Sequence, residues 1–204
     1  YDFHVAASVG GKAALESALR ARGQDRVPGE RLHHHHDPRL KADTAAVGFR
    51  CGYVGERQNA LLPEAIANDV AIFEVQFARA FQRALPEIAQ MSLHYGVRPL
   101  AQSLTSDKRA FKPFTKGFTA AACGANILVN READDVEALL GPDYPYLVSS
   151  QTPETIAAGF AHARDTYGGP VWAEALDRMR ALHDMVSPPV LARRLVDIVD
   201  VVTG

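Results

Sequence analysis

Cysteine, long apolar runs and excess charge are all scarce in this sequence, and each shortage argues against a class of protein. Only two cysteines occur, Cys51 and Cys123, without CxxC spacing, so we expect buried reduced thiols rather than a disulfide or a zinc site. No apolar run approaches the roughly 18 residues that cross a bilayer, and the first residues lack the pattern of a signal peptide. The formal net charge is −2, whereas nucleic-acid binders usually carry a basic face. We therefore expect a cytoplasmic protein with no transmembrane segment and no nucleic-acid partner.

What the sequence contains is the composition of an ordinary globular protein. Hydrophobic residues make up 47% and charged residues 23% of the 204 positions, close to the averages for folded domains. This length is enough for one good-sized α/β domain, or for one domain plus a fragment of another. Short strand-like runs alternate with helical patterns, which is typical of parallel strands joined by crossover helices. The predicted fold class is α/β, with a Rossmann-like parallel sheet and flanking helices.

The predicted strands are short and mostly apolar. They cover residues 3–7, 45–53, 92–95, 126–129 and 146–148, with a weaker candidate at 70–73. Helical patterns occupy residues 11–22, 78–89 and 116–122. Three more helical segments follow from Pro153, so the chain is predicted to end in a helical cluster. Thr152 before Pro153 is a strong signal for a helix start.

The segment KPFTKGFTAAACGANILV, residues 112–129, has the pattern of a loop, a short helix, a glycine and a buried strand. The first turn of a helix presents unpaired NH groups and the positive end of the helix dipole, which together attract phosphate. Thr115 is a candidate cap, Lys116 adds a cation at the entrance, and Gly117 lets the helix lie close to the sheet. This pattern favours a diphosphate site, although it also fits a tightly packed αβ unit that binds no ligand.

The same segment resembles the donor-site signature of retaining glycosyltransferases with the GT-B fold. Thr115 and Lys116 align with a serine and a lysine of that signature, residues 122–124 with its AlaCysGly, and residues 126–129 with its final strand. The resemblance implies that this chain is the C-terminal, donor-binding half, and that the helix start holds the diphosphate of a nucleotide sugar. It also implies a ribose contact at position 119. The family has a glutamate there, whereas Thr119 cannot form a bidentate carboxylate clasp.

Two further stretches follow the family's order of elements. Val54 ends a predicted strand before Gly55 and Arg57, similar to the family's VGR turn, where the glycine admits a phosphate and the arginine pairs with it. A glycine turn with a solvated arginine is the alternative. His94 lies at the end of the strand predicted at 92–95, with Arg98 close by. Both are candidates for sugar or phosphate contact, with a half-buried, hydrogen-bonded histidine as the alternative.

The start of the chain resembles the close of the family's first domain, most of which we expect to precede Tyr1. We predict that residues 1–43 are the last αβ unit of an acceptor domain plus a linker, that 44–187 are the donor-binding domain, and that 188–204 are a C-terminal helix. The four histidines at 33–36 fall in the linker. Adjacent histidines point in different directions and rarely close one metal site, so we expect an interdomain hinge and no metal.

The resemblance implies a metal-independent hexosyltransferase that transfers a sugar from a nucleotide diphosphate sugar to an unknown acceptor, without a cofactor. Lys116 and Arg57 would stabilise the departing diphosphate. The predicted donor-binding residues are Gly55, His94, Arg98, Lys112, Thr115, Gly117 and Thr119. Two alternatives stay open, because a fold does not fix a reaction: a non-catalytic nucleotide-sugar-binding module and a sugar-nucleotide epimerase.

Overall fold

The first part of the chain is a small βαβ unit. The computed structural model describes residues 3–42, 48–100 and 111–203. Strands β1 (His4–Ala6) and β2 (Gly29–Arg31) pair in parallel, and helix α1 (Val9–Ala21) connects them. Ser8 caps α1, because its Oγ accepts a hydrogen bond from the backbone N of Gly11 at 3.0 Å.

A five-stranded parallel sheet forms the larger part of the fold. Its strands are β3 (Cys51–Val54), β4 (Val70–Phe73), β5 (Leu93–Tyr95), β6 (Asn126–Asn130) and β7 (Leu147–Val148). Their order across the sheet is β4-β3-β5-β6-β7, and every neighbouring pair is parallel. The chain moves outward from β3 to β4 and then returns past β3 to β5. Open α/β sheets bind ligands at such a reversal, beyond the carboxyl ends of the two strands.

Helices α2 (Ala78–Ile88), α3 (Thr115–Ala122) and α4 (Val136–Leu140) connect the later strands of the sheet. The chain then ends in a cluster of three helices, α5 (Pro153–Asp165), α6 (Pro170–Met185) and α7 (Pro188–Thr203). None of the described helices is long and apolar enough to cross a membrane. The predicted α/β class, with its parallel sheet, flanking helices and terminal helical cluster, is confirmed.

Most local predictions agree with these elements. The weak candidate at 70–73 is a real strand, β4, and the Oγ1 of Thr152 caps α5 by accepting a hydrogen bond from the N of Thr155 at 3.3 Å. The strand predicted at 45–53 starts only at Cys51, and residues 45–47 of that prediction lie outside the described residues. The residue ranges predicted for strands and helices did not include β2, α4 or two 3-10 helices between β3 and β4, Arg57–Asn59 and Glu64–Asp69.

The core centres on β5, β6 and the helix between them. Helix α3 buries five of its eight residues, Gly117, Phe118, Ala120, Ala121 and Ala122, and it packs against α6 as well as against the sheet. Gly124 adopts a φ of +65° just beyond the helix, which is the left-handed conformation that ends helices at low cost in glycine. Both cysteines are free and buried, as expected, and burial raises the pKa of the Cys123 thiol to about 12.

Polar contacts join the first βαβ unit to the rest of the chain. The backbone N of Val9, at the start of α1, donates to Oδ1 of Asp135 at 2.8 Å. Arg194 of α7 forms an ion pair with Glu30 of β2. Nδ1 of His35 lies 3.0 Å from the carbonyl oxygen of Val186, at the end of α6. The histidine run therefore lies against the carboxyl end of α6 in this structure, while its role as a hinge stays a prediction.

Candidate functional site

The carboxyl ends of β3 and β5 and the start of α3 meet around a cavity of about 200 Å³, which we call the basic cavity. Gly55 follows β3, Gly96 follows β5, and Lys116 lies in the first turn of α3. The remaining lining residues are Tyr53, Glu56, Asn59, Arg98, Lys112, Pro113, Phe114, Thr115, Val129, Ala133 and Asp134. The basic cavity therefore lies at the point of the sheet where the strand order reverses, which is the expected ligand position of this topology.

Two glycines line this cavity. Gly55 has a φ of +141°, and a Cβ there would lie 3.1 Å from both Nζ of Lys116 and the hydroxyl of Tyr53, two residues of the cavity wall. Glycine at this position therefore leaves room for a ligand to approach the backbone. Gly96 is buried, and a Cβ there would lie 3.1 Å from the carbonyl oxygen of Leu128, so this glycine allows close packing against β6.

Lys116 is the cation closest to the strand end. Its Nζ donates a hydrogen bond to the carbonyl oxygen of Val54 and lies 4.1 Å from the centroid of the Tyr53 ring. Burial, together with the charges of Arg98 and Lys112, lowers the pKa of the Lys116 ammonium to about 8. A bound anion would raise this pKa again, because an opposite charge favours the protonated form.

Asp134 contacts both of the other basic residues of the cavity, Arg98 through its side chain and Lys112 through its backbone. The backbone N of Arg98 donates to Oδ1 of Asn130 at 2.9 Å, and its guanidinium lies 3.9 Å from Oδ2 of Asp134. The same carboxylate oxygen accepts a hydrogen bond from the backbone N of Lys112 at 3.1 Å. Two acidic residues, Glu56 and Asp134, and three basic residues line the cavity, so its balance of charge is positive.

The start of α3 differs from the prediction that Thr115 caps it. Phe114 occupies the cap position without any side-chain cap among the described residues, and Thr115 is already the first helical residue. The carbonyl oxygen of Thr115 accepts a hydrogen bond from Oγ1 of Thr119 at 3.0 Å. The prediction fails because the helix begins one residue earlier than the pattern suggested, so Thr115 belongs to its first turn and lines the cavity instead of capping the helix.

A second, smaller cavity of about 170 Å³ lies on the other side of Lys116, and we call it the neutral cavity. It is lined by Val54, His94, Tyr95, Thr115, Lys116 and Thr119. Thr115 and Lys116 belong to both cavities. The two spaces therefore meet at the start of α3.

His94 is the most enclosed polar residue of the neutral cavity. Its exposed fraction is 3%, and its Nε2 has no hydrogen-bond partner among the described residues. Burial and then the charge of Lys116 lower the pKa of the imidazole to about 4, so the ring is neutral near pH 7. The side chain is more deeply buried than the half-buried histidine of the alternative, and one nitrogen is unpaired among the described residues. Contact with a ligand stays a prediction.

Two predicted site residues lie outside both cavities. Arg57 is exposed in the 3-10 helix beyond Gly55 and lines neither space. Gly117 is buried, and a Cβ there would overlap the ring of Phe114. The glycine therefore makes room for that ring instead of for a ligand.

Sequence reasoning missed Gly96 and Tyr53 as cavity residues. For Gly96 a signal was present, because it follows a strand in the same way as Gly55. Tyr53 gave none: its ring direction depends on the neighbouring strands and on a hydrogen bond from its hydroxyl to the carbonyl oxygen of Glu56, at 3.1 Å.

The histidine run gives no metal site in the described part of the chain, where no group of three or more His, Cys, Asp or Glu side chains is arranged to hold a metal ion. The rings of His36 and His183 lie 4.9 Å apart between centroids. The His33 ring meets Phe118 of α3 edge-on, with 5.9 Å between centroids. These rings contribute to packing between the linker and the helices behind the two cavities.

Comparisons with known proteins bear on the fold. No protein-family model matches the sequence, and no curated protein matches it. The solved structure of the GtfA/B complex matches with a TM-score of 0.62 at 10% identity, over 98% of this chain and 45% of that one. An alpha,alpha-trehalose-phosphate synthase (UDP-forming) from Burkholderia vietnamiensis matches with a TM-score of 0.61 at 12% identity, over 100% of this chain and 63% of that one.

The chain spans less than two thirds of either matched structure. At these identities the likeness shows the fold alone, and it is the GT-B glycosyltransferase fold that the segment at 112–129 implied. What either protein binds or transfers is not established for this chain by the likeness.

Proposed function

We propose that this chain holds a nucleotide diphosphate sugar for metal-independent transfer of the sugar, a hexose, to an acceptor. The observation that carries the proposal is the basic cavity. Three basic residues and the start of α3, which no side chain of the described residues caps, meet two strand-end glycines at the reversal point of the sheet. A diphosphate combines the charge and size that such a position binds. The fold shared with glycosyltransferases supports the same assignment.

In the proposed sugar transfer, the basic cavity acts on the negative charge of the leaving diphosphate. When the bond between the sugar and the phosphate oxygen breaks, negative charge grows on the leaving diphosphate. The backbone NH groups at the start of α3, with Lys116 and Arg98, are positioned to stabilise that charge. Lys112 supplies charge from the loop, and Arg57 adds charge from outside the cavity wall. No metal ion or other cofactor is required for this step.

Thr119 supports a second candidate, a module that binds the nucleotide sugar without turnover. A threonine makes fewer and weaker contacts than a carboxylate, and its Oγ1 already donates its proton to the carbonyl oxygen of Thr115. A sugar-nucleotide epimerase on the same fold is the third candidate. Product analysis separates the three, because transfer, no reaction and a changed sugar configuration give different products.

The first experiment is a thermal-shift titration with UDP, GDP and ADP. A ligand at about one hundred times its Kd stabilises the folded state by about 2.7 kcal/mol, which for a chain of this size is a rise in Tm of about 5–11 °C. We expect one of the three to give this rise, and the Lys116→Ala variant to lose it. The matched control is Lys12→Ala in α1, whose side chain forms a surface pair with Glu16 and which leaves the rise intact. The absence of a shift with all three nucleotides contradicts the proposal.

A further inference from the structure

A larger cavity, of about 650 Å³, lies between the first βαβ unit and the last helices of the chain, and we call it the α1–α7 cavity. Its walls come from α1, from β2 and the segment just after it, and from the end of α6 and the first half of α7. It shares no lining residue with the basic cavity or the neutral cavity. Its volume falls within the range of about 300–1,000 Å³ that is usual for small-molecule sites.

One part of the wall is apolar. Val9 and Ala13 line the cavity from α1, and Met185, Val190 and Leu191 line it from α6 and α7. Val9 and Ala13 are four residues apart and therefore share one face of their helix. Val9, Met185 and Val190 are exposed. A ligand with an apolar body that covers these side chains is stabilised, because apolar surface is removed from water.

The charged part of the wall contains two ion pairs and one further cation. Nζ of Lys12 lies 3.5 Å from the carboxylate of Glu16, and Arg194 forms an ion pair with Glu30. Arg31, at the end of β2, is half-buried and lines the same cavity. Its side chain forms no ion pair or hydrogen bond with any residue that the structure describes. The guanidinium of Arg31 is therefore available to an anionic ligand.

The charge balance limits the charge of that ligand. Three basic and two acidic side chains line the cavity, and burial, followed by the charge of Arg31, lowers the pKa of His33, which also lines it. With His33 neutral near pH 7, the wall carries one excess positive charge. A carboxylate supplies one negative charge and pairs with a guanidinium through two parallel hydrogen bonds. A phosphate monoester, with a charge of about −1.5 to −2, is less well matched to a wall that includes Glu16 and Glu30.

We infer that the α1–α7 cavity binds an amphiphilic carboxylate, whose acid group pairs with Arg31 and whose apolar body covers the side chains of α1, α6 and α7. This site does not depend on the diphosphate, because it shares no residue with the basic cavity. Since its walls come from both the first βαβ unit and α7, the bound ligand contacts both and stabilises their association.

The first test is isothermal titration of the wild-type chain with three probes. Octanoate has both the charge and the apolar body, octanamide has the same body without the charge, and acetate has the charge without the body. We expect about one octanoate to bind per chain, and octanamide to bind about tenfold more weakly, because it lacks the hydrogen bonds between charged groups. Acetate is expected to give no saturable binding.

The second test changes the cavity wall. Arg31→Gln removes the charge and is expected to lower the affinity for octanoate about tenfold, to that of octanamide, while leaving the affinity for octanamide unchanged. Ala13→Phe fills the cavity from an exposed position of α1 and is expected to weaken the binding of both probes. Arg22→Gln is the matched control, since Arg22 is an exposed arginine at the end of α1 outside the cavity, and it leaves all affinities unchanged.

Three results would overturn the assignment. Octanoate that does not bind rules out the site, and octanamide that binds as tightly as octanoate rules out the pairing with a cation. An affinity for octanoate that is unchanged in Arg31→Gln means that the carboxylate binds elsewhere. If Arg31→Gln does not fold, the comparison of the three probes on the wild-type chain tests the charge, and Ala13→Phe tests the location. Nucleotide titration bears only on the basic cavity, so the proposed function and this site stand or fall separately.

Discussion

Two of the βαβ units in the described structure have helices that begin in opposite ways. Helix α1, between β1 and β2, is closed at its start by the side chain of Ser8, and Asp135 accepts the backbone NH of Val9. Helix α3, between β5 and β6, has no side-chain cap in the described structure, and its start lies on the basic cavity. A helix start whose NH groups are already bonded offers little to an anion. The start of α3 also lies on the basic cavity, which supports the diphosphate site proposed there.

The same two helices differ in burial. No residue of α1 is buried, whereas α3 is covered by the sheet on one side and by α6 on the other. A helix fixed on both sides holds its first turn in place, so Lys116 keeps its position without a ligand. Rigidity of this kind lowers the entropy cost of binding.

The largest loss of stability is expected from truncating a core side chain of α3. Phe118 is 1% exposed and packs in the main core, so Phe118→Ala is expected to lower the free energy of unfolding by about 3–5 kcal/mol. Leu15→Ala in α1 is the matched change, since Leu15 is 38% exposed, and it is expected to cost less than about 1 kcal/mol. Urea denaturation of the two variants measures both values. Equal costs would show that α1 is as firmly packed as α3.

The next effect is the pH dependence of diphosphate binding. The pKa of Lys116 in the free protein is about 8, whereas the diphosphate complex requires the ammonium. Binding above that pH takes up a proton, so the Kd for the nucleoside diphosphate rises by up to about tenfold per pH unit between pH 8 and 9. In the absence of ligand, the lowered pKa destabilises the fold below about pH 8, and this cost is relieved as the pH rises toward the ordinary lysine value.

Calorimetric titration at pH 7, 8 and 9 measures this dependence. Lys116→Arg is the control, because arginine stays protonated throughout this range, and its Kd is expected to change little with pH. A wild-type Kd that is constant from pH 8 to 9 would mean that Lys116 does not pair with the diphosphate.

A smaller effect separates the two helix starts directly. Ser8→Ala removes the cap of α1 and is expected to lower the free energy of unfolding by about 1 kcal/mol. Thr115→Ala removes no cap from α3 and is expected to change stability by less than about 0.5 kcal/mol, while weakening nucleotide binding at the cavity wall. Thermal denaturation and ligand titration of both variants test the pair. A loss of stability in Thr115→Ala that matches Ser8→Ala would contradict the assignment of Phe114 as the cap.

The sequence was enough to predict the order of elements and the location of the basic cavity, since both follow from local patterns. Strand-end Gly55 and helix-start Lys116 occur at recognisable places in the chain, and the parallel topology brings them together. Side-chain burial was harder to predict. Gly117 looked like a ligand position, but the ring of Phe114 fills the space beside it. His94 looked half exposed, but its depth depends on neighbouring strands that are distant in sequence.

The smallest predicted effect concerns the contact between the first βαβ unit and α7. Arg194 and Glu30 form an ion pair whose side chains stay 44% and 36% exposed, so Arg194→Ala is expected to cost less than about 1 kcal/mol. Leu191, one turn earlier on α7, is partly buried against the main core, and Leu191→Ala is expected to cost more than Arg194→Ala.

Urea denaturation of the two variants, repeated at high salt, separates the charge from the apolar contact, because salt screens only the ion pair. If Arg194→Ala proves the costlier change, the first unit is held to α7 mainly by charge. The smaller loss expected here means instead that α7 is anchored by its packing on the main core.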